Sequence, residues 1–124
     1  MVNQSKLEME DNLISIIEEF MVQYDGTLVL KTTPVSVMHN GRGSLNISGN
    51  QGLASAGTGD VLAGCIGSFI AQGISPFDAG KLGVFIHGRA ADSLLDQTGY
   101  RGMTATDVIN EIPKVIREYE IRSL

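Results

Sequence analysis

The sequence predicts an α/β domain with an incomplete sheet, and three observations point there. Short apolar runs suited to strands are confined to residues 27–47. The stretches on either side carry apolar residues at helical spacing. The resulting order, a helix, a strand, a β-hairpin and then three helices, lacks the repeated βαβ units of a complete doubly wound sheet. The 124 residues make one domain by size. The pattern reads as one end of a larger α/β architecture, with residues 1–11 as a flexible polar N-terminus and residues 12–124 as the partial domain.

The first helix is expected over Asn12–Tyr24, where Leu13, Ile16, Ile17, Phe20 and Tyr24 share a face opposite Glu18 and Glu19. Asp11 or Asn12 can cap its start, and Gly26 lies past its end. Thr27–Leu30 reads as a strand. Val35–Met38 and Ser44–Ile47 read as a hairpin, because Asn40-Gly41 between them tolerates the positive φ of a tight turn. An apolar helix follows over 58–72 and stops at Gly73. Its apolar residues cover nearly the whole circumference, with Gly64, Gly67, Ser68 and Ala71 on one side, which predicts burial on more than one side and close packing against another backbone. Ser75-Pro76-Phe77-Asp78 opens the next helix with an N-cap, a proline at the first position and an acid three residues on. That helix is expected to reach Asp96, with a loop at 99–102. Thr104-Ala105-Thr106-Asp107 repeats the start signal for a last helix over 105–119, which Pro113 should kink or split.

Composition excludes several roles. The net charge is −5 and no basic run is present, so nucleic acid is not an expected partner. Lys114, Arg117 and Arg122 alternate with Glu111, Glu118 and Glu120 as a solvated helix face. No run of 18 apolar residues exists, and no leader pattern opens the chain, so no membrane association is expected. A lone cysteine, Cys65, allows no internal disulfide and reads as a small buried hydrophobe in a reducing cytoplasm. Charged residues are only 19% against 43% apolar, a balance that predicts further buried surface.

Chemistry concentrates in Asn50–Gly64. Gly57 and Gly59 flank Thr58, Asp60 follows, and the apolar helix begins there. Amides of Ala56, Gly57, Thr58 and Gly59 converging at a helix N-terminus would cradle a phosphoryl group, with Asp60 as base toward an attacking hydroxyl. The same residues also suit a plain strand-to-helix turn in which Asp60 only favours the helix dipole. No G-K-[ST] follows, so the loop is not a Walker A motif, and it is not G-x-G-x-x-G. His87, without a carboxylate or second histidine at i±4, reads as a packing or capping residue, and His39 as exposed. Neither makes a metal site with Cys65. Asp92 and Asp107 read as helix-surface and capping residues, with contact to a ligand as the alternative. Met9, Met21, Met38 and Met103 read as core filler.

The run from Gly49 through Gly64 resembles the C-terminal signature of the ADP/ATP-dependent NAD(P)H-hydrate dehydratases, of the ribokinase-like superfamily. The resemblance continues through Ala71-Gln72-Gly73, His87-Gly88-Arg89-Ala90-Ala91-Asp92, Thr104-Ala105-Thr106-Asp107 and Ile112-Pro113, and back to Leu28-Val29-Leu30-Lys31. It covers about residues 12–119. It implies the C-terminal half of a ribokinase-like fold and dehydration of hydrated NADH or NADPH with ADP or ATP and Mg²⁺. Asp60 is the implied catalytic base, at the hydrate. Lys31, Asn50, Ala56, Gly57, Thr58 and Gly59 are the implied nucleotide-binding residues. No protein-held metal site is implied. The family's Lys-Gly-x-x-Thr is here Lys31-Thr32-Thr33-Pro34-Val35, which keeps the lysine and changes the shape and donors after it. Family members carry an N-terminal half with most of the sheet, so the expected partner is a second copy of this chain or a complementary N-terminal half. Two other roles fit the same residues: a small-molecule kinase of the superfamily using the Asp60 base, and a non-catalytic remnant or subunit completed by another chain.

Overall fold

The computed structural model describes the backbone of residues 2–122 and the side chains of residues 12–121. In chain order the elements are α1 (Val2–Gln23), β1 (Leu28–Leu30), β2 (Val35–His39), β3 (Arg42–Asn46), a 3₁₀ turn (Gln51–Ala54), α2 (Thr58–Ala71), α3 (Pro76–Gly102) and α4 (Ala105–Arg122). The three strands pair antiparallel in the order β1-β2-β3. Asn40 at φ 43° and Gly41 at φ 73° make the tight turn that sets the hairpin register, with Val37 opposite Ser44.

Side-chain alternation gives the sheet one packed face. Val29, Val35 and Val37 point toward α3 and join Leu62, Phe77 and Val84 in a small core. A second, larger core lies between α2, α3 and α4, around Phe69, Ile86, Leu94, Met103, Val108 and Val115. Glycines of α3 permit the contacts. A Cβ at Gly80 would lie 2.9 Å from Val37 Cγ1, and one at Gly83 would strike Ile66 of α2.

The local signals act as the sequence predicts at most boundaries. Gly73, at φ 88°, ends α2: its N–H reaches Ile70 O at 2.9 Å and the Ile74 N–H reaches Phe69 O at 3.2 Å. Ser75 Oγ accepts from the Asp78 N–H at 3.2 Å. Thr104 and Asp107 cap reciprocally, with Asp107 Oδ2 accepting from the Thr104 N–H at 2.9 Å and Thr104 Oγ1 accepting from the Asp107 N–H at 3.2 Å.

Several expectations are corrected. The first helix begins at Val2 rather than Asn12, so Asp11 and Asn12 lie inside it. Residues 2–11 are rich in strong helix formers such as Gln4, Lys6, Leu7, Glu8 and Glu10, which carry the helix forward. The expected flexibility of residues 1–11 and the place of the Met9 side chain lie outside the described side chains. The third helix continues to Gly102, bending at Gly99 (φ 63°, ψ 177°) instead of ending at Asp96. Pro113 does not split α4, which runs unbroken from Ala105 to Arg122 with Val108 and Val115 buried on either side of it. Glu111 is buried and takes the Lys114 ammonium at 2.6 Å instead of lying on a solvated face. His39 is half-buried, with Nδ1 2.9 Å from Gly26 O.

The glycine face of α2 is the largest difference. Gly64 and Gly67 have open space where a Cβ would lie, and Ala63, Ser68 and Ala71 are exposed with them. The opposite side of α2, with Leu62 and Phe69, is the packed one. Close helix packing instead uses the glycines of α3.

Candidate functional site

The hairpin delivers the chain to the side of α3, and α3 then holds the loop. Asn46 Nδ2 donates to Val84 O at 3.2 Å and Ser48 Oγ donates to Phe85 O at 3.1 Å. Ser48 lies against Gly88, where a Cβ would come within 2.6 Å of the Ser48 backbone. One turn further along α3, Asp92 Oδ2 accepts from the Gly49 N–H at 3.0 Å and Oδ1 accepts from Asn50 Nδ2 at 3.1 Å. Asn50 Oδ1 caps the 3₁₀ turn by accepting from the Gly52 N–H at 2.9 Å.

The far end of the loop is held as firmly. Thr58 is buried, and its Oγ1 donates toward Leu53 O at 2.6 Å and Ser55 O at 2.8 Å. Its carbonyl lies 2.9 Å from His87 Nε2 on α3. Burial pushes the His87 pKa below its ordinary value; the nearby Lys31 charge adds to this and the Thr58 carbonyl opposes it. A neutral His87 donating from Nε2 satisfies the geometry.

Gly57 adopts φ 84°, turns the chain into α2 and brings its first amides to the surface. The Thr58 N–H makes only a long 3.4 Å bond to Ser55 O, and the Asp60 N–H bonds Gly57 O at 3.1 Å. The amides of Ala56, Gly57 and Gly59 have no protein partner among the described residues. Lys31, at the end of β1, brings its ammonium over the loop, so that a Cβ on Gly59 would be 2.7 Å from Nζ. Together these form an open cleft of about 300 Å³ lined by Lys31, Ser55, Gly57, Thr58, Gly59 and Asp60 among others. Free amides, a helix N-terminus and an ammonium make it a candidate anion site, with the exposed Asp60 among the residues that line it.

Five of the seven residues singled out from sequence line this cleft: Lys31, Gly57, Thr58, Gly59 and Asp60. Asn50 and Ala56 stand outside it, with Asn50 bonded to Asp92 and Gly52. Sequence reasoning missed Asp92, read as a surface residue, and the direct hold of His87 on Thr58. Their sequence signals are that Gly88 and Asp92 are four apart on one helix face with His87 beside them, and that all three lie in the run 87–92 that carries part of the family resemblance. Among the described residues no three His, Cys, Asp or Glu side chains gather to hold a metal ion. No helix among them is long and apolar enough to cross a membrane.

The chain is similar to known proteins of one family. A family model described as NAD(P)H-hydrate dehydratase matches residues 1–114. The bifunctional NAD(P)H-hydrate repair enzyme Nnr of Escherichia coli K12 is 38% identical over 114 residues, which are 90% of this chain and 22% of that enzyme. The ADP-dependent (S)-NAD(P)H-hydrate dehydratase of Neisseria meningitidis is 53% identical over 55 residues, 44% of this chain and 19% of that one. Among solved structures, the ADP/ATP-dependent NAD(P)H-hydrate dehydratase of Bacillus subtilis, co-crystallised with ATP/Mg²⁺ and soaked with CoA, superposes with a TM-score of 0.80 at 26% identity. That match covers 90% of this chain and 42% of the other, so the chain has the C-terminal portion of a ribokinase-like α/β fold and spans well under half of these relatives. With a family model spanning residues 1–114 and a solved relative that shares its fold, the chain belongs to the NAD(P)H-hydrate dehydratase family.

Proposed function

We propose that this chain supplies the phosphate-binding loop and the base for ADP- or ATP-dependent dehydration of hydrated NAD(P)H. One observation carries the reading: Asp60 stands at the mouth of a cleft whose floor is unpartnered loop amides and whose wall is the Lys31 ammonium. The amides of Gly57 and Gly59 and the dipole of α2 would hold the transferring phosphoryl oxygens. Lys31 would neutralise charge beside them. Asp60 would accept the proton of the hydrate hydroxyl as that oxygen takes the phosphoryl group from the nucleotide; the C–O bond then breaks with departure of phosphate, and the neighbouring ring carbon gives up a proton to solvent as the ring double bond is restored. The nucleotide supplies the phosphoryl group, and Mg²⁺ would arrive on its phosphates. The segment after Lys31 contributes less, because Thr32 Oγ1 turns back to Pro34 O at 2.9 Å.

The chain fits as one half of a working unit. The outer face of the sheet shows Leu45 at 67% exposure, α1 shows Ile14 and Ile16, and the glycine face of α2 is open. A complementary N-terminal half would cover these surfaces and complete the substrate pocket. A second copy of this chain is the other candidate. The single Cys65 thiol, raised in pKa by burial, suits a reducing cytoplasm.

The test is a chimera in which this chain replaces the matching segment of a full-length relative, given hydrated NADH with ADP or ATP. The reading predicts recovery of NADH absorbance with release of phosphate. A stable phosphorylated alcohol would instead indicate a small-molecule kinase, and no turnover with correct folding would indicate a non-catalytic subunit.

A further inference from the structure

We propose that Asp92 is a positioning residue that fixes the orientation of the Asn50 amide, and through it the entry half of the anion loop. Asp92 meets two donors at once, the Gly49 N–H at 3.0 Å and Asn50 Nδ2 at 3.1 Å. A carboxylate can only accept, so the NH₂ end of Asn50 must face it. The amide oxygen is then left toward the loop, where it takes the Gly52 N–H at 2.9 Å. Gly52 is buried and packs closely on Met103: a Cβ there would lie 2.8 Å from Met103 Sδ. The polarity chosen at Asp92 is thus passed through Asn50 to the backbone that leads into Leu53, whose carbonyl receives Thr58 Oγ1. Asn50 accordingly acts as a relay behind the cleft and not as a wall of it.

This wiring makes an isosteric change disruptive in a definite way. Asp92→Asn puts two side-chain amides in series between the Gly49 and Gly52 N–H groups. If the new amide offers its oxygen to Gly49, its NH₂ meets the NH₂ of Asn50, and the two donors push the side chains apart, pulling one of them off the backbone N–H it holds. If Asn50 then flips, its NH₂ meets the Gly52 N–H. One bond is lost in every arrangement. Adding Asn50→Asp removes the conflict. The introduced amide then accepts from Gly49 and donates to the introduced carboxylate, which still accepts from Gly52.

The consequence for ligand rests on the loop being the nucleotide phosphate site proposed above, so the test has two arms. In the full chain, amide hydrogen exchange is followed at Gly49 and Gly52, with Ala90 and Ala91 in the core of α3 as reference. Asp92→Asn is expected to speed exchange at Gly49 or Gly52 at least about tenfold relative to that reference, and Asp92→Asn with Asn50→Asp to restore it. ADP binding by calorimetry is expected to weaken about tenfold in the single variant and recover in the double. Unchanged exchange in the single variant, or no recovery in the double, overturns the assignment. If the single variant does not fold, recovery of folding in the double supports it and continued failure overturns it. If the wild-type chain takes up no ADP, the phosphate-site reading fails for this chain, while the exchange pattern still decides the role of Asp92.

Discussion

Gly59 shows how closely backbone and charge are matched at the loop. The nearest atom to a Cβ there is Lys31 Nζ, the free end of a flexible side chain. Gly59→Ala is therefore expected to leave the melting temperature unchanged or slightly raised, since alanine is the better helix former in the first turn of α2. It would push the ammonium off the loop and weaken ADP binding by about tenfold, the effect of one charge-assisted contact. Calorimetry and thermal melts together separate the two effects. His87 gives a second expectation. Its pKa is lowered in the folded state, so as pH falls through about 6.5 the unfolded chain takes the proton first. Stability is full above that value and declines below it until the folded histidine also titrates. Urea midpoints between pH 8 and pH 5 should show this slope, and His87→Gln should flatten it. At this scale the loop residues and Asp60 are legible in the sequence because they are contiguous. Asp92 is not, because its partners lie 42 and 43 residues away and nothing local marks the pairing.

At the scale of elements, α3 is the frame of the site. It bonds the approach at Asn46 and Ser48, the loop entry at Gly49 and Asn50, and the loop exit at Thr58. Gly88 is the point of closest approach, with Ser48 backbone atoms 2.6 Å from where a Cβ would stand. Backbone cannot yield as a lysine tip can. Gly88→Ala is expected to cost about 1–3 kcal/mol by overpacking, read as a lower urea midpoint, and to weaken ADP binding as Ser48 is displaced. The starts of α3 and α4 are legible from their caps because the S/T-x-x-D signal acts within one turn. The role of the glycines is not. Composition alone marks Gly64 and Gly67 of α2 as the close-packing residues, yet which helix a backbone approaches depends on tertiary arrangement, and that selects Gly80, Gly83 and Gly88.

For the whole molecule, the described surface is that of a part. Leu45, Ile47, Ile14, Ile16 and Val22 are all more than half exposed, and β1 and β3 are both sheet edges. Low charge and an incomplete strand count, both visible in the sequence, anticipate this. The identity of the open faces is not visible there, because it depends on which side of α2 the core takes. The isolated chain is expected to self-associate at micromolar concentration, measured by sedimentation, and to become a defined complex when the missing half of the fold is supplied. A monodisperse, cooperatively unfolding monomer would contradict the need for either.

The central claim, that Asp60 beside the amide loop performs phosphoryl-transfer-driven dehydration, meets its most direct test in the chimeric full-length enzyme carrying Asp60→Asn. The variant keeps the shape of the side chain and removes its basicity. ADP binding is expected to stay close to that of the parent chimera and NADH recovery to slow about 10²- to 10⁴-fold, the usual contribution of a general base. Undiminished recovery of NADH by the Asp60→Asn chimera would contradict the claim.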